Sequence, residues 1–355
     1  MAWTDIRGHE RIEHDLRSAY RSGRLAHAYL FVGPSGIGKR RFAVELAKAI
    51  LCESSTGVLA ACDRCPACLQ AMAGTHPDLI QAERPDDKQD IPIELIRELC
   101  ANLGLKAARG ERKVLILDDA DDLNDASANA FLKTLEEPPP GTLIVLLATQ
   151  ADSQLSTVTS RCQVLNFRPL PGDAIRELLA DRLESPLSVD RLDRVVNEAR
   201  GSVAKALLLA EEKAWAIREH IIDVLGQPAP DSANLAAEAI AFAELAGKEG
   251  VMQRPRASLV VRLAGEIAGE ALRVKLGSMA SNPSDAAPLK RAALRHDEAE
   301  WLDKLEPASR RSGRSIERCP SRSCWNTSPT NCAGNERRPP GEPVAFANYP
   351  LPEVT

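Results

Sequence analysis

The sequence predicts an α/β domain with a mainly parallel β-sheet, followed by regions that are purely helical. Over the first 170 residues, short β-rich runs alternate with helical patterns, which is typical of strands joined by crossover helices. A glycine-rich segment, "GPSGIGKRR" at 33–41, separates the first strand from the first of these helices. After "RPLPGD" at 168–173 the β signal disappears and helical periodicity remains.

The elements of the α/β part follow from local signals. Each predicted strand is a short apolar run, and each predicted helix has apolar residues at helical spacing. Asn124 is a good N-cap for the last of these helices, and three consecutive prolines at 138–140 stop it. The predicted strands are 28–32, 114–117 and 142–149, and the predicted helices between them are 39–51 and 124–137.

Four regions are expected along the chain. We predict a nucleotide-binding-type domain at 1–170 and three short helices, around 173–183, 188–199 and 202–212, which form a small lid at 171–212. A second helical domain is expected at 213–318. The tail at 319–355 is rich in Pro, Ser and Arg and has no helical period, which is typical of disorder or of a shifted reading frame. No function is assigned to its cysteines, Cys319, Cys324 and Cys332.

Composition excludes several classes of protein. Apolar residues make up 44% and charged residues 27% of the 355 residues, as in ordinary globular proteins. The net charge of −5 argues against a general nucleic-acid binder. No secretory signal is visible and the apolar runs are too short to span a bilayer, so the sequence predicts a cytoplasmic protein without membrane contact.

The glycine-rich segment is nearly a phosphate-binding loop of the pattern G-x-x-x-x-G-K-[ST]. Glycines let backbone N–H groups point at phosphate oxygens, and Lys39 adds a positive charge. Arg40 stands where a hydroxyl should hold Mg²⁺. The alternative is a plain glycine-rich turn with a surface lysine. The predicted loop residues are Gly33, Pro34, Gly36, Gly38, Lys39 and Arg40.

An acidic pair follows the second predicted strand. Asp118 is placed to hold Mg²⁺ directly or through water, as a carboxylate at a strand end beside a phosphate loop does. Asp119 occupies the position of a water-polarising glutamate but is one methylene shorter. The pair extends the predicted nucleotide site.

Four of the nine cysteines, Cys52, Cys62, Cys65 and Cys68, lie within 17 residues. The spacing C-x9-C-x2-C-x2-C can bring four thiolates onto one tetrahedral zinc ion at about 2.3 Å each. With no open coordination position such a zinc is structural. A redox-active C-x-x-C pair is the alternative, although four clustered cysteines exceed what a dithiol needs.

Four motifs resemble subunits of the bacterial DNA polymerase III clamp loader, which belong to the AAA+ superfamily, and most closely those of the delta-prime type. The resemblance implies a RecA-like nucleotide domain with an inserted zinc module at 52–68, a three-helix lid and a C-terminal helical collar. It also implies a five-membered ring with gamma/tau and delta subunits, acting on a sliding clamp and primer-template DNA. The motifs are "LAHAYLFVGPSGIGK" (25–39), "AMAGTHPDL" (71–79), "NAFLKTLEEPP" (129–139) and "SRC" (160–162).

The lid motif and the loop argue against efficient ATP hydrolysis. In "GSVAKAL" at 201–207, Ala204 stands where the family's nucleotide-sensing arginine would be, and Lys205 lies one position late. Together with Arg40 and Asp119, three ATPase features are altered. Whether ATP with Mg²⁺ binds at all stays open, and so does the question of whether the chain is itself an enzyme.

In contrast to the altered loop and lid motif, the SRC motif is intact and implies a catalytic role for Arg161. By resemblance, this side chain reaches a neighbouring subunit's ATP in trans, while Thr149 resembles a residue that senses the γ-phosphate. A surface arginine or an intrachain salt bridge is the alternative for Arg161. The sequence thus predicts a rigid clamp-loader ring member that supplies this arginine. The rivals are an ATP-hydrolysing motor subunit of the gamma/tau type and a clamp-loader-like ATPase serving repair or secretion.

Overall fold

The computed structural model describes Trp3, residues 6–54, 57–85, 88–150, 155–227, 232–247 and 250–280, Asn282 and residues 285–295. The predicted tail at 319–355, with its three cysteines, lies outside the described residues. The last part of the predicted helical domain at 213–318 lies outside them as well.

One five-stranded sheet forms the centre of the α/β part. All of its neighbouring strands pair in parallel, in the order β2-β3-β4-β1-β5. The carboxyl ends of these strands therefore meet at one edge, which is where α/β sheets bind ligands. The strands are β1 (Ala28–Val32), β2 (Leu79–Ala82), β3 (Lys113–Leu117), β4 (Thr142–Ala148) and β5 (Gln163–Asn166).

The three predicted strands are confirmed as β1, β3 and β4, and each is fully buried. The sequence did not predict β2 and β5. Both have only four residues and both are partly exposed, so neither has the continuous apolar run by which buried strands are recognised.

Helices cover both faces of the sheet. Tyr29 and Phe31 face a core shared with α1 and α2, whereas Leu30 and Val32 face a second core shared with α4 and α5. This alternation follows from the two-residue period of a strand. The helices of this part are α1 (Glu10–Arg21), α2 (Lys39–Leu51), α3 (Pro66–Met72), α4 (Ile93–Gly104), α5 (Asp125–Glu136) and α6 (Ser156–Thr159), with a 3₁₀ turn at Ala120–Asp122.

The predicted helix ends are also confirmed. The side chain of Asn124 accepts a hydrogen bond from the backbone N–H of Ser127 at 2.9 Å, which caps α5. The helix ends at Glu136, just before the prolines. α2 begins directly after Gly38, which adopts a left-handed backbone conformation.

The rest of the described chain is helical and shares one apolar core. Residues of α7 to α13 contribute to a single buried cluster that includes Leu179, Trp215 and Leu263. The first three helices match the predicted lid helices, while the division into lid and second domain at 212/213 stays a prediction. The helices are α7 (Gly172–Arg182), α8 (Val189–Ala199), α9 (Val203–Ala210), α10 (Glu212–Gly226), α11 (Ser232–Glu244), α12 (Gly250–Lys275) and α13 (Ala286–Arg295). None of the helices in the described part of the chain combines the length and the apolar character that crossing a membrane requires.

Candidate functional site

The phosphate-loop motif lies at the carboxyl edge of the sheet, between β1 and α2. Lys39 is buried, and its Nζ donates hydrogen bonds to the carbonyl oxygens of Gly33 at 2.6 Å and Pro34 at 2.9 Å. Burial lowers the pKa of Lys39, and the nearby Asp118 carboxylate opposes this shift. The loop is thus closed around its own lysine, whose ammonium group would have to give up these two carbonyl contacts to bind a phosphate.

The start of α9 rests on the tip of the loop. Ser202 Oγ donates to the carbonyl oxygen of Ser35 at 3.1 Å, and the N–H of Ala204 donates to that of Gly36 at 3.2 Å. Gly36 has a φ of +79°, and a Cβ there would lie 2.4 Å from Ser202 Oγ. Only glycine therefore allows the loop and the lid helix to approach this closely.

Arg40 contacts the carboxylate that the sequence predicts as a Mg²⁺ ligand. Its Nη1 lies 2.5 Å from Oε2 of Glu83 and 3.5 Å from Oδ2 of Asp118. Glu83 follows β2 and Asp118 follows β3, so the guanidinium bridges the ends of two neighbouring strands. Sequence reasoning missed Glu83, because the strand before it was not predicted.

The two aspartates differ in how they ionise. Burial, together with the charge of Asp118, raises the pKa of Asp119 to about 6, and Asp119 has a left-handed backbone with a φ of +53°. Burial also raises the pKa of Asp118, but the N–H of Asp119 and the charges of Arg40 and Lys39 oppose that rise. Asp118 therefore has cations beside it, whereas Asp119 titrates close to neutral pH.

A cavity of about 400 Å³ opens beside these residues. Gly36, Gly38, Lys39, Arg40, Asp118, Asp119 and Thr149 line it, which brings together seven of the nine predicted nucleotide-site residues. Gly33 and Pro34 lie behind them and hold Lys39. Asp121, which the sequence did not single out, also lines the cavity and accepts a hydrogen bond from the N–H of Thr149 at 2.6 Å.

Part of the remaining cavity lining is apolar and suits the base of a nucleotide. Ile6, Leu170, Leu178, Val203 and Leu207 contribute apolar surface from the N-terminal segment and the lid helices. A volume of this size lies within the range of small-molecule sites. Charged groups and apolar walls in one cavity are what a polyphosphate attached to a base requires.

The lid offers no cation at the position where the family has its sensing arginine. Ala204 lines the cavity, while Lys205 is buried and its side chain does not line the cavity. Its Nζ donates to the carbonyl oxygen of Glu198 at 2.6 Å and pairs with the carboxylates of Glu198 and Glu266. The structure thus places Lys205 on a different side of α9 from Ala204, as its one-residue offset predicts.

Arg161 lies outside the cavity, between α6 and β5. Its Nε donates to Oε1 of Glu136 at 2.7 Å, its Nη2 contacts the same oxygen, and its Nη1 donates to the carbonyl oxygen of Thr157 at 2.9 Å. The side chain is 30% exposed. The intrachain salt bridge considered as an alternative is therefore present, and it holds the guanidinium at the protein surface.

The four clustered cysteines meet at one point. Their Sγ atoms all lie within 4.8 Å of one another, with 4.0 Å between Cys52 and Cys65 and between Cys62 and Cys68. Four ligands at about 2.3 Å from one tetrahedral zinc lie about 3.8 Å apart, so the donor set fits such an ion. All four are free thiols, and three of them are buried. The cluster could hold a metal ion.

Secondary structure positions these thiols. Cys52 follows the last residue of α2, Cys65 caps α3, and Cys68 lies in the first turn of α3. Between Cys62 and Cys65 the chain turns through Asp63, which has a φ of +58°. Lys48 on α2 is buried and its Nζ pairs with Asp63 at 2.8 Å, which joins the turn to the helix.

Fold and site together define a class of protein. A closed glycine-rich loop after β1, carboxylates after β3 and lid helices packed on the loop occur here on a parallel sheet of order β2-β3-β4-β1-β5. This arrangement is typical of P-loop nucleotide-binding domains.

Comparison with known proteins narrows the class. Residues 8–171 match the family model described as "DNA polymerase III, delta subunit". The delta-prime subunit of DNA polymerase III from Pseudomonas aeruginosa is 38% identical over 200 residues, which are 51% of this chain and 60% of that protein. Over this region the chain is therefore similar to DNA polymerase III subunits of the delta-prime type.

Two further similarities are weaker. The tau subunit from Escherichia coli is 34% identical over 219 residues, which are 60% of this chain but 33% of that protein. The crystal structure of a gamma subunit-related protein from Thermotoga maritima covers 84% of this chain and 99% of its own, at 16% identity and a TM-score of 0.40, too low to define the fold. The chain spans about 60% of the length of its delta-prime relative.

Proposed function

We propose that this chain acts in DNA replication as the delta-prime member of a DNA polymerase III clamp loader and supplies Arg161 to the ATP site of a neighbouring motor subunit. The observation that carries this proposal is the contrast between the phosphate-loop cavity and Arg161. In this chain's own cavity, Arg40 lies beside Asp118, the carboxylate predicted to hold Mg²⁺. Arg161, in contrast, presents its guanidinium at the surface, away from that cavity.

The altered nucleotide site supports a role other than hydrolysis. Arg40 cannot serve as the hydroxyl ligand of Mg²⁺, and it is bonded to Asp118 instead. Ala204 brings no charge to the γ-phosphate position. Both losses act on the transition state of phosphoryl transfer, which depends on fixed positive charge.

At the ATP site of a neighbouring motor subunit, the guanidinium of Arg161 can supply such a charge in trans. Arginine presents planar donors that match phosphate oxygens, and such arginines contribute about 10³–10⁵ in rate in comparable systems. In this role the chain assembles with gamma/tau and delta subunits into a five-membered ring. Through that ring it contacts the sliding clamp and primer-template DNA in the cytoplasm.

We also propose that the cysteine cluster holds one structural zinc ion. The four ligands would be Cys52, Cys62, Cys65 and Cys68, and the two short C-x-x-C spacings are typical of zinc knuckles. Zinc bound there would supply binding energy for folding and no catalytic chemistry, because the four thiolates would fill its coordination positions.

Replacing Arg161 with Ala tests the proposal in a reconstituted clamp loader. We expect the DNA-stimulated ATP turnover of the complex to fall several-fold while the ring still assembles. Arg161→Lys keeps the charge but not the planar fork, and we expect it to restore little activity. Arg97→Ala, at an exposed arginine on α4, is the matched control. Unchanged turnover with Arg161→Ala in an intact complex would overturn the role of this residue.

An ATP-hydrolysing motor subunit is the second candidate. The complete glycine pattern, the lysine and the 400 Å³ cavity favour it. The purified chain alone decides between the two: robust Mg²⁺-dependent turnover supports the motor, and its absence supports the delta-prime role.

A further inference from the structure

Arg40 contacts the position that Mg²⁺ occupies in hydrolysing members of this class. It is the second residue of α2, directly after the loop lysine, and its side chain extends along the carboxyl edge of the sheet. Its Nη1 is shared between Glu83 at 2.5 Å and Asp118 at 3.5 Å. The carboxylate that would ligate the metal therefore already has a cation beside it.

Mg²⁺ does not fit this arrangement. The ion requires octahedral oxygen ligands at about 2.0–2.1 Å, and an arginine offers donors only. A metal bound to Oδ2 of Asp118 at that distance would lie at most about 5.6 Å from Nη1, because the nitrogen is 3.5 Å from the same oxygen. Two cations that close repel each other strongly in a partly buried site.

We propose that the Arg40 guanidinium replaces the divalent cation, and that the site binds the polyphosphate of a nucleotide in its metal-free form. In the described part of the chain only Nη1 of this side chain is hydrogen-bonded, so Nη2 and Nε remain for a ligand. The side chain is 49% exposed and lines the cavity. Arg40 and Lys39 then supply the positive charge that a metal ion supplies elsewhere.

This arrangement has a second consequence for the protein without nucleotide. Glu83, Asp118 and Asp119 all lie at the same sheet edge. Their mutual repulsion is offset by the guanidinium of Arg40, which, unlike a bound metal ion, cannot leave the site. The loop can therefore stay folded whether or not a metal ion or a nucleotide is present. The inference goes beyond the role proposed for Arg161 and does not depend on it.

Nucleotide affinity with and without metal tests the inference on the full chain. A fluorescent N-methylanthraniloyl ADP is titrated into the wild-type protein in excess EDTA and again in excess MgCl₂. For the wild type we expect no gain in affinity with MgCl₂, because the site takes the metal-free nucleotide and excess Mg²⁺ withdraws that form from solution. For Arg40→Thr, which restores the hydroxyl and removes the cation, we expect Mg²⁺ to tighten binding by about tenfold or more.

Two further variants separate charge from folding. Arg40→Lys keeps a positive charge, and we expect Mg²⁺ to give it no gain in nucleotide affinity either. Arg97→Thr, on α4 and outside the cavity lining, is the control for replacing an exposed arginine by threonine. Circular dichroism of all variants confirms that they are folded.

Mn²⁺ electron paramagnetic resonance gives a readout that needs no nucleotide fluorescence. With ADP present, we expect no bound Mn²⁺ signal for the wild type and one bound ion for Arg40→Thr. The inference is overturned if the wild type shows a tenfold gain in affinity with Mg²⁺, if it binds one Mn²⁺ as tightly as Arg40→Thr does, or if it binds no nucleotide in either buffer.

Discussion

Glu136 controls where the guanidinium of Arg161 lies. Both Nε and Nη2 of the arginine bond to one oxygen of this carboxylate, and Nη1 is held by the backbone of Thr157. To reach a phosphate on another subunit, Arg161 has to leave Glu136. Because both side chains are partly exposed, the pair contributes only about 0–1 kcal/mol, so such a release is energetically accessible.

Glu136→Gln weakens this restraint, because a neutral amide attracts the guanidinium less than a carboxylate does. In a reconstituted complex without DNA, we expect ATP turnover to rise by up to about fivefold, which corresponds to about 1 kcal/mol. Glu137→Gln, at the exposed neighbouring residue, is the matched control. A fall in turnover to the level of Arg161→Ala would instead show that Glu136 positions the arginine for reaction.

Asp78 stabilises the segment that leads into β3. Its carboxylate is fully buried and accepts hydrogen bonds from the N–H groups of Ala108 and Arg109, both at 2.7 Å. We expect Asp78→Asn to reduce the free energy of unfolding by about 1–2 kcal/mol, because an amide has one acceptor oxygen and leaves one of the two N–H groups without its partner. Urea denaturation measures this, with the exposed Asp223→Asn as control. A loss no larger than that of the control would contradict the role assigned to Asp78.

At the scale of elements, α2 joins the two candidate ligand sites. The phosphate loop ends where this helix begins, and Cys52 follows its last residue. Near its end, Lys48 is buried and pairs with both Glu45 and Asp63. Although burial lowers the pKa of Lys48, its bonds to these two carboxylates outweigh that effect and raise it, so the lysine stays charged. The cysteine module is therefore tied to the same helix that carries the loop.

Removing one thiol from the cluster tests the metal assignment. We expect the wild type to contain about one zinc per chain by mass spectrometry, and Cys68→Ser to contain almost none. Because metal binding contributes about 10–16 kcal/mol to folding such modules, the segment from Cys52 to Cys68 should become sensitive to protease in the variant. Cys100→Ser, at a cysteine outside the cluster, is the control. A wild-type chain purified without metal and with an intramolecular disulfide would favour the redox alternative.

At the scale of the whole molecule, a buried charge network links the lid helices to the helices that follow. Arg218 on α10 pairs with Glu198 on α8 at 2.8 Å and with Asp285 before α13 at 2.6 Å. Glu198 also pairs with Lys205 on α9, which contacts Glu266 on α12. Since α9 rests on the phosphate loop, the network connects the loop to the C-terminal helices.

Arg218→Met should destabilise the protein, because it leaves two buried carboxylates with fewer partners. We expect a loss of about 3–5 kcal/mol near pH 7, which is typical when one partner of a buried pair is removed. Denaturant unfolding measures it, and Arg273→Met, at an exposed position of α12, is the control. A change below about 1 kcal/mol would contradict the importance of the network.

The same network predicts how stability depends on pH. Burial alone would raise the pKa of Glu198, but the charges of Lys205 and Arg218 outweigh it and hold that pKa below its ordinary value of 4.5. A carboxyl whose pKa is lowered by folding stabilises the protein above its unfolded pKa, and this contribution is lost as pH falls through the folded one. We therefore expect a decline in the melting temperature below about pH 4.5 for the wild type. In Arg218→Met the folded pKa of Glu198 moves back towards its unfolded value, so the decline should be shallower; an identical profile would argue against the pairing.

Much of the α/β part could be predicted from the sequence, because its signals are local. A continuous apolar run identifies β1, β3 and β4, the proline run marks the end of α5, and the loop and cysteine spacings lie within a few turns of chain. Residues close in sequence have few ways to be arranged, so their chemistry can be inferred without the fold. The short strands β2 and β5 were not predicted, because four partly exposed residues give no distinct hydrophobic pattern.

Tertiary structure alone decided which side chains meet. Arg40 contacts Glu83, Arg161 contacts Glu136, and Ser202 contacts the loop at Ser35, and in each case the partners come from different elements. The sequence by itself determined an α/β nucleotide-binding-type chain with an altered loop and a four-cysteine cluster. It could not determine that the guanidinium of Arg40 lies against Asp118, because that contact depends on how neighbouring strands align at the edge of the sheet.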